Sequence, residues 1–183
     1  MKTFLDLVKT RYSVRSYESR AVEREKIERC LEAARLAPSA CNSQPWHFIV
    51  ADDPELVKSL APRTRLTMSK MNSFVDQVPV ITAVIGENPN LSAKLGSIMK
   101  NKPLYLLDLG IAAEHFCFQA VEEGLGSCIL GWYNERAVKK LLKVPRRKRI
   151  YLLITLGYPS DNKVPNKVRK SFKEIVSWNR YES

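Results

Sequence analysis

The sequence has few of the residues that bind metal ions. It contains only two histidines, His47 and His115, and none of its four cysteines forms a CxxC pair. A closed zinc site needs ligands at short, regular spacings, and these are absent, so we expect no metal site. We interpret the cysteines as free thiols, in core or helical segments of a protein that is kept in a reducing cytoplasm. They are Cys30, Cys41, Cys117 and Cys128.

Glycine-rich phosphate loops and long apolar runs are also missing. No GxxxxGK[ST] motif occurs, and the next glycine after Gly124 and Gly126 is Gly131, so the spacing of a GxGxxG motif fails. No segment has about 18 uninterrupted apolar residues, and we therefore expect no membrane-spanning helix. The N-terminal stretch lacks the apolar region of a secretory signal. These absences favour a cytoplasmic protein.

The apolar content and its pattern predict a single domain over 1–183. Apolar residues make up 45% of the chain, which is enough for a sizeable core, and no linker or internal repeat is present. Apolar periodicity predicts helices over 3–10, 23–36, 54–61, 103–123, 134–142 and 170–178. It predicts strands over 46–51, 79–85, 127–132 and 149–156. The stretch 64–77 is ambiguous and 86–97 is interpreted as a loop, so strands separated by helices predict a helix-covered sheet.

Positive charge is concentrated in the last third of the chain. The net charge is +11, and residues 134–183 hold fourteen Lys and Arg against four Asp and Glu. This asymmetry favours an anionic ligand or partner, such as a nucleotide, an acidic electron-transfer protein or nucleic acid. The densest basic run, 146–149, is interpreted as a solvated turn between a helix and a strand.

A first candidate site is the pentapeptide that begins at Arg11. Arg11, Ser13 and Arg15 alternate, so an extended segment can project all three side chains to one side. Guanidinium groups and a short hydroxyl suit a phosphate. The alternative is a structural role for Arg15 in an ion pair with Glu18 or Glu23.

A second candidate is the loop 37–45, in which turn-forming residues precede an apolar strand. Pro38 restricts the backbone, Ser39 and Asn42 offer short polar groups, and the amides of Asn42 and Gln44 can read the edge of a flat heterocycle. The alternative is a structural turn closed by a side-chain hydrogen bond.

Two further candidates lie in the second half of the chain. The predicted strand that ends at Leu130 and Gly131 leaves backbone N–H groups free, and Gly131 lets a flat ligand approach the backbone. Lys167 and Arg169 can reach one phosphate together.

Taken in order, these motifs resemble the nitroreductase family of FMN-dependent oxidoreductases. The resemblance rests on "RYSVR", "APSACNSQPWHF", "GLGSCILGW", "LGYP" and a late basic pair, and it covers nearly the whole chain. It implies an α+β three-layer sandwich, with a mixed, mainly antiparallel sheet flanked by helices, in an interlocked homodimer. It also implies two FMN molecules in the dimer interface.

The resemblance implies a role for each candidate residue. Arg11, Ser13 and Arg15 match the segment that contacts the flavin phosphate, ribityl chain and pyrimidine edge. The residues that match the loop from the second subunit are Pro38, Ser39, Asn42 and, less directly, Gln44. Leu130 and Gly131 match the backbone beside the reactive edge of the ring. Lys167 and Arg169 match the late phosphate pair, and Lys70 and Asn72 are unassigned candidates.

The expected activity is electron transfer from NADH or NADPH to a nitroaromatic, a quinone or a similar flat acceptor, by a ping-pong mechanism. The resemblance implies no catalytic acid or nucleophile, because the protein binds and tunes the cofactor. One alternative is another flavin reaction on the same fold, such as dehalogenation or flavin-consuming oxygenation. The other is a basic nucleic-acid-binding module, against which we expect Tyr133, Tyr151 and Trp178 to be mostly buried.

Overall fold

A four-stranded antiparallel sheet forms the centre of the computed structural model, which describes residues 3–65, 71–161 and 163–181. Its strands are β1 (Trp46–Ala51), β2 (Val80–Gly86), β3 (Gly126–Leu130) and β4 (Arg149–Gly157), in the spatial order β1-β2-β4-β3. All three pairings are antiparallel. The expectation of a mixed sheet is therefore wrong for these strands, and among the described residues a parallel contact occurs at an isolated bridge between Ser13 and Ser127.

Seven α-helices surround the sheet in the described part of the chain. They are α1 (Phe4–Thr10), α2 (Arg24–Arg35), α3 (Pro54–Leu60), α4 (Leu91–Met99), α5 (Leu104–Glu122), α6 (Glu135–Leu141) and α7 (Phe172–Ile175). Several begin at side chains that satisfy free backbone N–H groups. Thr3 and Asp6 form a reciprocal capping box at α1, and Asp53 accepts from the Leu56 N–H at the start of α3.

The alternation along β2 divides the core into two layers. Ile81, Ala83 and Ile85 belong to the cluster on the face that α3 and α6 cover. Val80 and Val84 belong to the other cluster, with buried residues of α2 and α5. Because successive side chains of a strand point to opposite faces, β2 is buried on both sides. The result is the expected three-layer arrangement of helices, sheet and helices.

The helix α5 is the longest element, and it packs against both α2 and the sheet. Its buried residues include Asp108, Phe116 and Cys117, and it packs on α2. It ends before Gly124, whose φ of +73° is the left-handed conformation typical of a helix C-terminus. Within the described residues, α5 alone is long and apolar enough to cross a membrane by length and composition. Its burial against α2 and the sheet makes it the core helix of this fold.

Three expectations from the sequence are wrong in detail. The predicted loop 86–97 contains most of α4, which Asn90 caps by accepting from the Ala93 N–H. The predicted C-terminal helix shrinks to the four residues of α7. Trp178 is 75% exposed, whereas Tyr133 and Tyr151 are half-buried. The segment 163–181 packs little against the rest of the chain, so nothing there supports a long helix.

The cysteines are free, and three of them are buried. Cys41 is exposed in the short 3-10 turn Ala40–Asn42, contrary to the expectation that all four lie in core or helical segments. Burial raises the pKa of Cys30 to about 12 and that of Cys117 to about 11. Both therefore remain protonated thiols that serve as apolar packing groups at neutral pH.

Candidate cofactor-binding site

The segment 11–15 is fastened to the edge of the sheet. The Val14 N–H donates to the Ser127 carbonyl at 3.0 Å, and Ser13 bridges Ser127 in a parallel register. Val14 is buried against Gly126, where an added Cβ would lie 2.5 Å from Val14 Cγ2. The absence of a side chain at Gly126 thus allows this close approach. Ser13 and Arg15 flank the buried Val14 and remain accessible at the edge of β3.

Cations that are far apart in the sequence converge beside this segment. Lys167 Nζ donates to the Val8 carbonyl near the end of α1 at 2.7 Å. Its pKa is lowered by burial and then by the positive charges of Arg11 and Arg169. These mutual effects place Arg11, Lys167 and Arg169 in one cluster, which we call the cation cluster. Glu114 of α5 is its acidic member, 3.2 Å from Arg11 Nε.

Arg15 links this region to a cavity at the end of β3. The cavity has a volume of about 540 Å³, and its lining includes Arg15, Cys128, Leu130 and Gly131. Burial raises the pKa of the Cys128 thiol, and the charge of Arg15 opposes this effect. Arg15 has no acidic partner in the described part of the chain, so the alternative ion pair with Glu18 or Glu23 does not form. Its guanidinium is available to an anion.

Backbone groups border the same cavity. Leu130 is the last residue of β3 and pairs with Leu153, after which the chain leaves the sheet at Gly131. A Cβ added to Gly131 would meet no atom within 4 Å, so the backbone there faces open space. Asn72 also lines the cavity, and its amide donates to the carbonyls of Thr64 at 2.8 Å and Trp132 at 3.1 Å. Lys70, the other unassigned candidate, lies outside the described residues.

The loop from Pro38 to Gln44 is closed largely by its own polar groups. Ser39 Oγ accepts from the Gln44 N–H at 2.9 Å, and the Gln44 amide donates to the Asn42 carbonyl and to Asn42 Oδ1. Cys41, Asn42 and Gln44 all have positive φ angles, of 52°, 50° and 46°. This is the structural turn considered from the sequence, and it leaves part of each polar side chain accessible.

Two contacts hold this loop against the helical layer. The Ala40 N–H donates to Asp108 Oδ1 of α5 at 3.1 Å, and Asn90 donates its amide to the Cys41 carbonyl at 2.9 Å. Asp108 is buried, and its Oδ2 has no hydrogen-bond partner among the residues that the structure describes. Asp108 and Glu114 are separated by about 9 Å along the helix axis. Within one chain, therefore, the loop and the cation cluster contact different turns of α5 rather than one common site.

Comparison with known proteins identifies the fold and its lineage. The model of the nitroreductase family matches residues 8–72 and 70–158. The chain belongs to the nitroreductase family. It is 35% identical over 169 residues to a provisionally named NADH dehydrogenase/NAD(P)H nitroreductase of Archaeoglobus fulgidus, with 89% of each chain covered. It also resembles a solved FMN-dependent nitroreductase of Clostridium difficile, with a TM-score of 0.79, 27% identity and coverage of 97% and 100% of the two chains.

Not every similar protein is named as a nitroreductase. An iodotyrosine deiodinase of Thermotoga neapolitana is 27% identical over 173 residues, which cover 89% of this chain and 92% of that protein. Membership of the nitroreductase family therefore indicates an oxidoreductase and leaves the reaction open.

The residues on this nitroreductase-family fold have the chemistry that FMN requires. A phosphate needs cations and hydroxyl donors, and the cation cluster with Ser13 supplies them. A flat ring needs an open surface with backbone polar groups, and the cavity at Leu130 and Gly131 supplies it. The donor set and the open backbone at Gly131 thus fit this cofactor.

Three residues in this region were not predicted from the sequence. Glu114 and Asp108 lie on a helix whose apolar composition predicts packing, and only the structure shows Glu114 beside Arg11 and Asp108 beneath the loop. Asn90 lies in a stretch interpreted as a loop, and its capping role was the one available signal. Glu114 contacts the predicted site residue Arg11, whereas Asp108 and Asn90 hold the predicted loop through Ala40 and Cys41.

Proposed function

We propose that this chain is an FMN-dependent oxidoreductase that passes electrons from NADH or NADPH to nitroaromatics, quinones or similar flat acceptors. The observation that carries the proposal is that the segment 11–15 joins two environments: Arg11 belongs to the cation cluster, and Arg15 lines the open cavity at the end of β3. A flavin phosphate and a flavin ring need these two environments next to each other. When bound, FMN supplies a ring that accepts a hydride from a nicotinamide and passes electrons onward.

The chain's own residues bind and orient in this scheme. Arg11, Lys167 and Arg169 neutralise the phosphate, and Ser13 donates a hydrogen bond to it. Arg15 faces the cavity and places a fixed positive charge where negative charge develops at the pyrimidine edge. The backbone at Leu130 and Gly131 offers N–H groups to the reactive edge. No side chain is required as acid or nucleophile.

We further propose that the active form is a homodimer in which the loop from Pro38 to Gln44 completes the partner's site. Apolar side chains that a monomer leaves exposed support this proposal. Phe4 of α1 is 67% exposed and Leu107 of α5 is 64% exposed. Trp178, in the poorly packed segment 163–181, is also exposed. Other apolar side chains in this segment are exposed as well, so a partner subunit explains this exposed surface better than nucleic acid does. These side chains are Val168, Phe172 and Ile175.

The test is the visible spectrum of the purified protein, followed by anaerobic titration with each nicotinamide. We expect yellow protein with one FMN per chain, bleached by NADH or NADPH and restored by a quinone. Because donor and acceptor stack in turn on one face, initial-rate plots at several acceptor concentrations should be parallel. Folded, colourless protein that takes up no added FMN would end the proposal. Intersecting rate plots would indicate separate sites for donor and acceptor instead of one shared stacking site.

Reductive dehalogenation is the second candidate, and the similarity to the iodotyrosine deiodinase favours it. A halotyrosine must be held at its amino-acid end as well as by its ring, whereas a nitroaromatic needs only the ring. Assay of iodotyrosine and a nitroaromatic with the same reduced protein separates the two reactions. Release of iodide at a rate comparable to nitro reduction would favour the deiodinase reaction. We place either reaction in the cytoplasm.

A further inference from the structure

A second, larger cavity lies between the end of β2, α4 and the start of β4. Its volume is about 780 Å³, which is in the range of small-molecule sites. Its lining carries one carboxylate, Glu87, and five cations from separate parts of the chain. The cations are Lys94, Lys102, Arg147, Lys148 and Arg149. The basic run that the sequence presents as a solvated turn thus joins two distant lysines around one concave space.

The floor of this cavity is built from two tyrosines. The Tyr105 and Tyr151 hydroxyls are 3.2 Å apart, and their rings meet edge to face. Tyr151 packs over Gly86 so closely that a Cβ at that position would collide with its ring. Because Tyr151 lies on β4 and Tyr105 on α5, the floor is anchored to the core. The cavity is therefore a shaped feature of the fold.

Not all of the positive charge around the cavity is neutralised within the chain. Lys148 pairs with Glu87, and Arg149 lies 3.2 Å from Glu135. In the described part of the chain, Lys94, Lys102 and Arg147 have no carboxylate partner. Three unpaired cations that face one cavity repel each other, and an anion of multiple charge relieves this repulsion. The hydroxyl and amide groups of Ser97 and Asn101 add hydrogen-bond donors to the lining.

The cavity also adjoins the loop from Pro38 to Gln44. The Glu87 N–H donates to the Pro45 carbonyl at 2.9 Å, and the Asn90 N–H donates to Ser43 Oγ at 2.8 Å. If this loop reaches the partner's cofactor, as the proposed function requires, the cavity opens beside the place where a reduced nicotinamide must arrive. The anion that we expect in this cavity is then a phosphate group of the same nicotinamide dinucleotide.

We propose that this cavity binds the phosphate groups of the nicotinamide donor and makes NADPH the preferred donor. The inference rests on the proposed function for the identity of the ligand. NADPH carries a 2′-phosphate that NADH lacks, which adds about 1.5 to 2 negative charges at pH 7. Lys94, Lys102 and Arg147 are free to meet that charge. Arg147 offers the planar fork that suits a phosphate, and the lysines act as compact charges.

The kinetic test compares NADPH and NADH in the FMN-loaded protein and in the double variant Lys102→Ala/Arg147→Ala. Both side chains are exposed, so the fold should be unaffected. We expect the wild type to prefer NADPH in kcat/KM, and the double variant to lose at least about tenfold of that preference, because charge-assisted hydrogen bonds are removed. The matched control is Lys140→Ala/Arg136→Ala, which removes two exposed cations of α6 outside the cavity. An equal preference in wild type and double variant would overturn the proposal.

A binding test does not depend on the flavin. Adenosine 2′,5′-diphosphate carries the 2′-phosphate and no nicotinamide, and adenosine 5′-monophosphate and inorganic pyrophosphate are the comparison ligands. We expect calorimetry to show tighter binding of the 2′,5′-diphosphate than of either comparison ligand, and loss of that advantage in the double variant. Pyrophosphate that binds as tightly would indicate a general polyphosphate site and overturn the donor assignment. Folded protein that takes up no added FMN and still shows the expected binding would refute the proposed function and leave the phosphate site standing.

Discussion

The segment 11–15 and the loop from Pro38 to Gln44 both carry polar side chains, yet different contacts hold them in place. The first is an extension of the sheet, with Val14 buried against Gly126 and its backbone bonded to Ser127. The second is a self-closed turn with three positive φ angles. The first region is therefore fixed to the core, whereas the second is an exposed turn that is held mainly by its own hydrogen bonds. In the proposed dimer, one site would combine the segment 11–15 of one chain with the loop of the other chain.

The largest expected effect on FMN binding comes from substitutions in both the segment 11–15 and the loop. Arg15→Ala and Asn42→Ala should each weaken FMN binding when both subunits carry the change. Co-refolding the two variants should produce heterodimers with one doubly damaged site and one intact site, so tight binding returns to half of the heterodimer sites. Fluorescence titration of isolated heterodimers measures this recovery. Weak binding at every site in proven heterodimers would show that both residues serve the same chain's site.

A second experiment disturbs only the rigid half. Gly126→Ala places a methyl group 2.5 Å from Val14 Cγ2, and overpacking of this kind costs about 1 to 3 kcal/mol. We expect a lower free energy of unfolding together with weaker FMN binding, because Ser13 and Arg15 move with Val14. Gly96→Ala is the matched control: nothing lies within 4 Å of the added Cβ in α4. Its stability should stay level or rise by up to about 1 kcal/mol. Normal FMN binding in a destabilised Gly126→Ala protein would separate the segment from the cofactor site.

A third experiment tests the cation cluster alone. Arg169→Ala should weaken FMN binding about tenfold, because one charge-assisted hydrogen bond to phosphate is lost. Riboflavin lacks the phosphate, so its affinity should not change in the same variant. Equal losses for FMN and riboflavin would assign Arg169 to folding of the segment 163–181 rather than to phosphate binding.

The smallest effect concerns pH. The pKa of Lys167 lies below its usual value of 10.5 because of burial and then the charges of Arg11 and Arg169. Only the protonated ammonium attracts phosphate, so the affinity advantage of FMN over riboflavin is complete below this pKa and falls as the pH rises through it. In Arg169→Ala one repulsive charge is gone, the pKa rises, and the fall should move to higher pH. Titrations of both flavins across the alkaline range measure the shift, and an unmoved midpoint would remove Lys167 from the cluster.

Elements with strong periodicity were predictable from the sequence, and regions defined by distant contacts were not. The run of β-branched residues in β2 and the end of α5 at Gly124 are local properties, and the structure confirms both. The helix α4 was missed because its glycine, its serines and the preceding Pro89 are typical of a loop, although Asn90 provides a cap. The candidate residues were recognisable by motif. Their attachment to two different turns of α5 was not predictable, because Asp108 and Glu114 contact the two regions only after the chain has folded.

The contacts of α5 with both regions restrict how the chain can change in length. A single residue inserted between Asp108 and Glu114 would rotate the two side chains relative to each other by about 100° and separate them by about 1.5 Å more. The loop and the segment 11–15 could then no longer both keep their present contacts with α5. We expect insertions and deletions among related chains to avoid this part of α5, because they would alter the distance between the two half-sites.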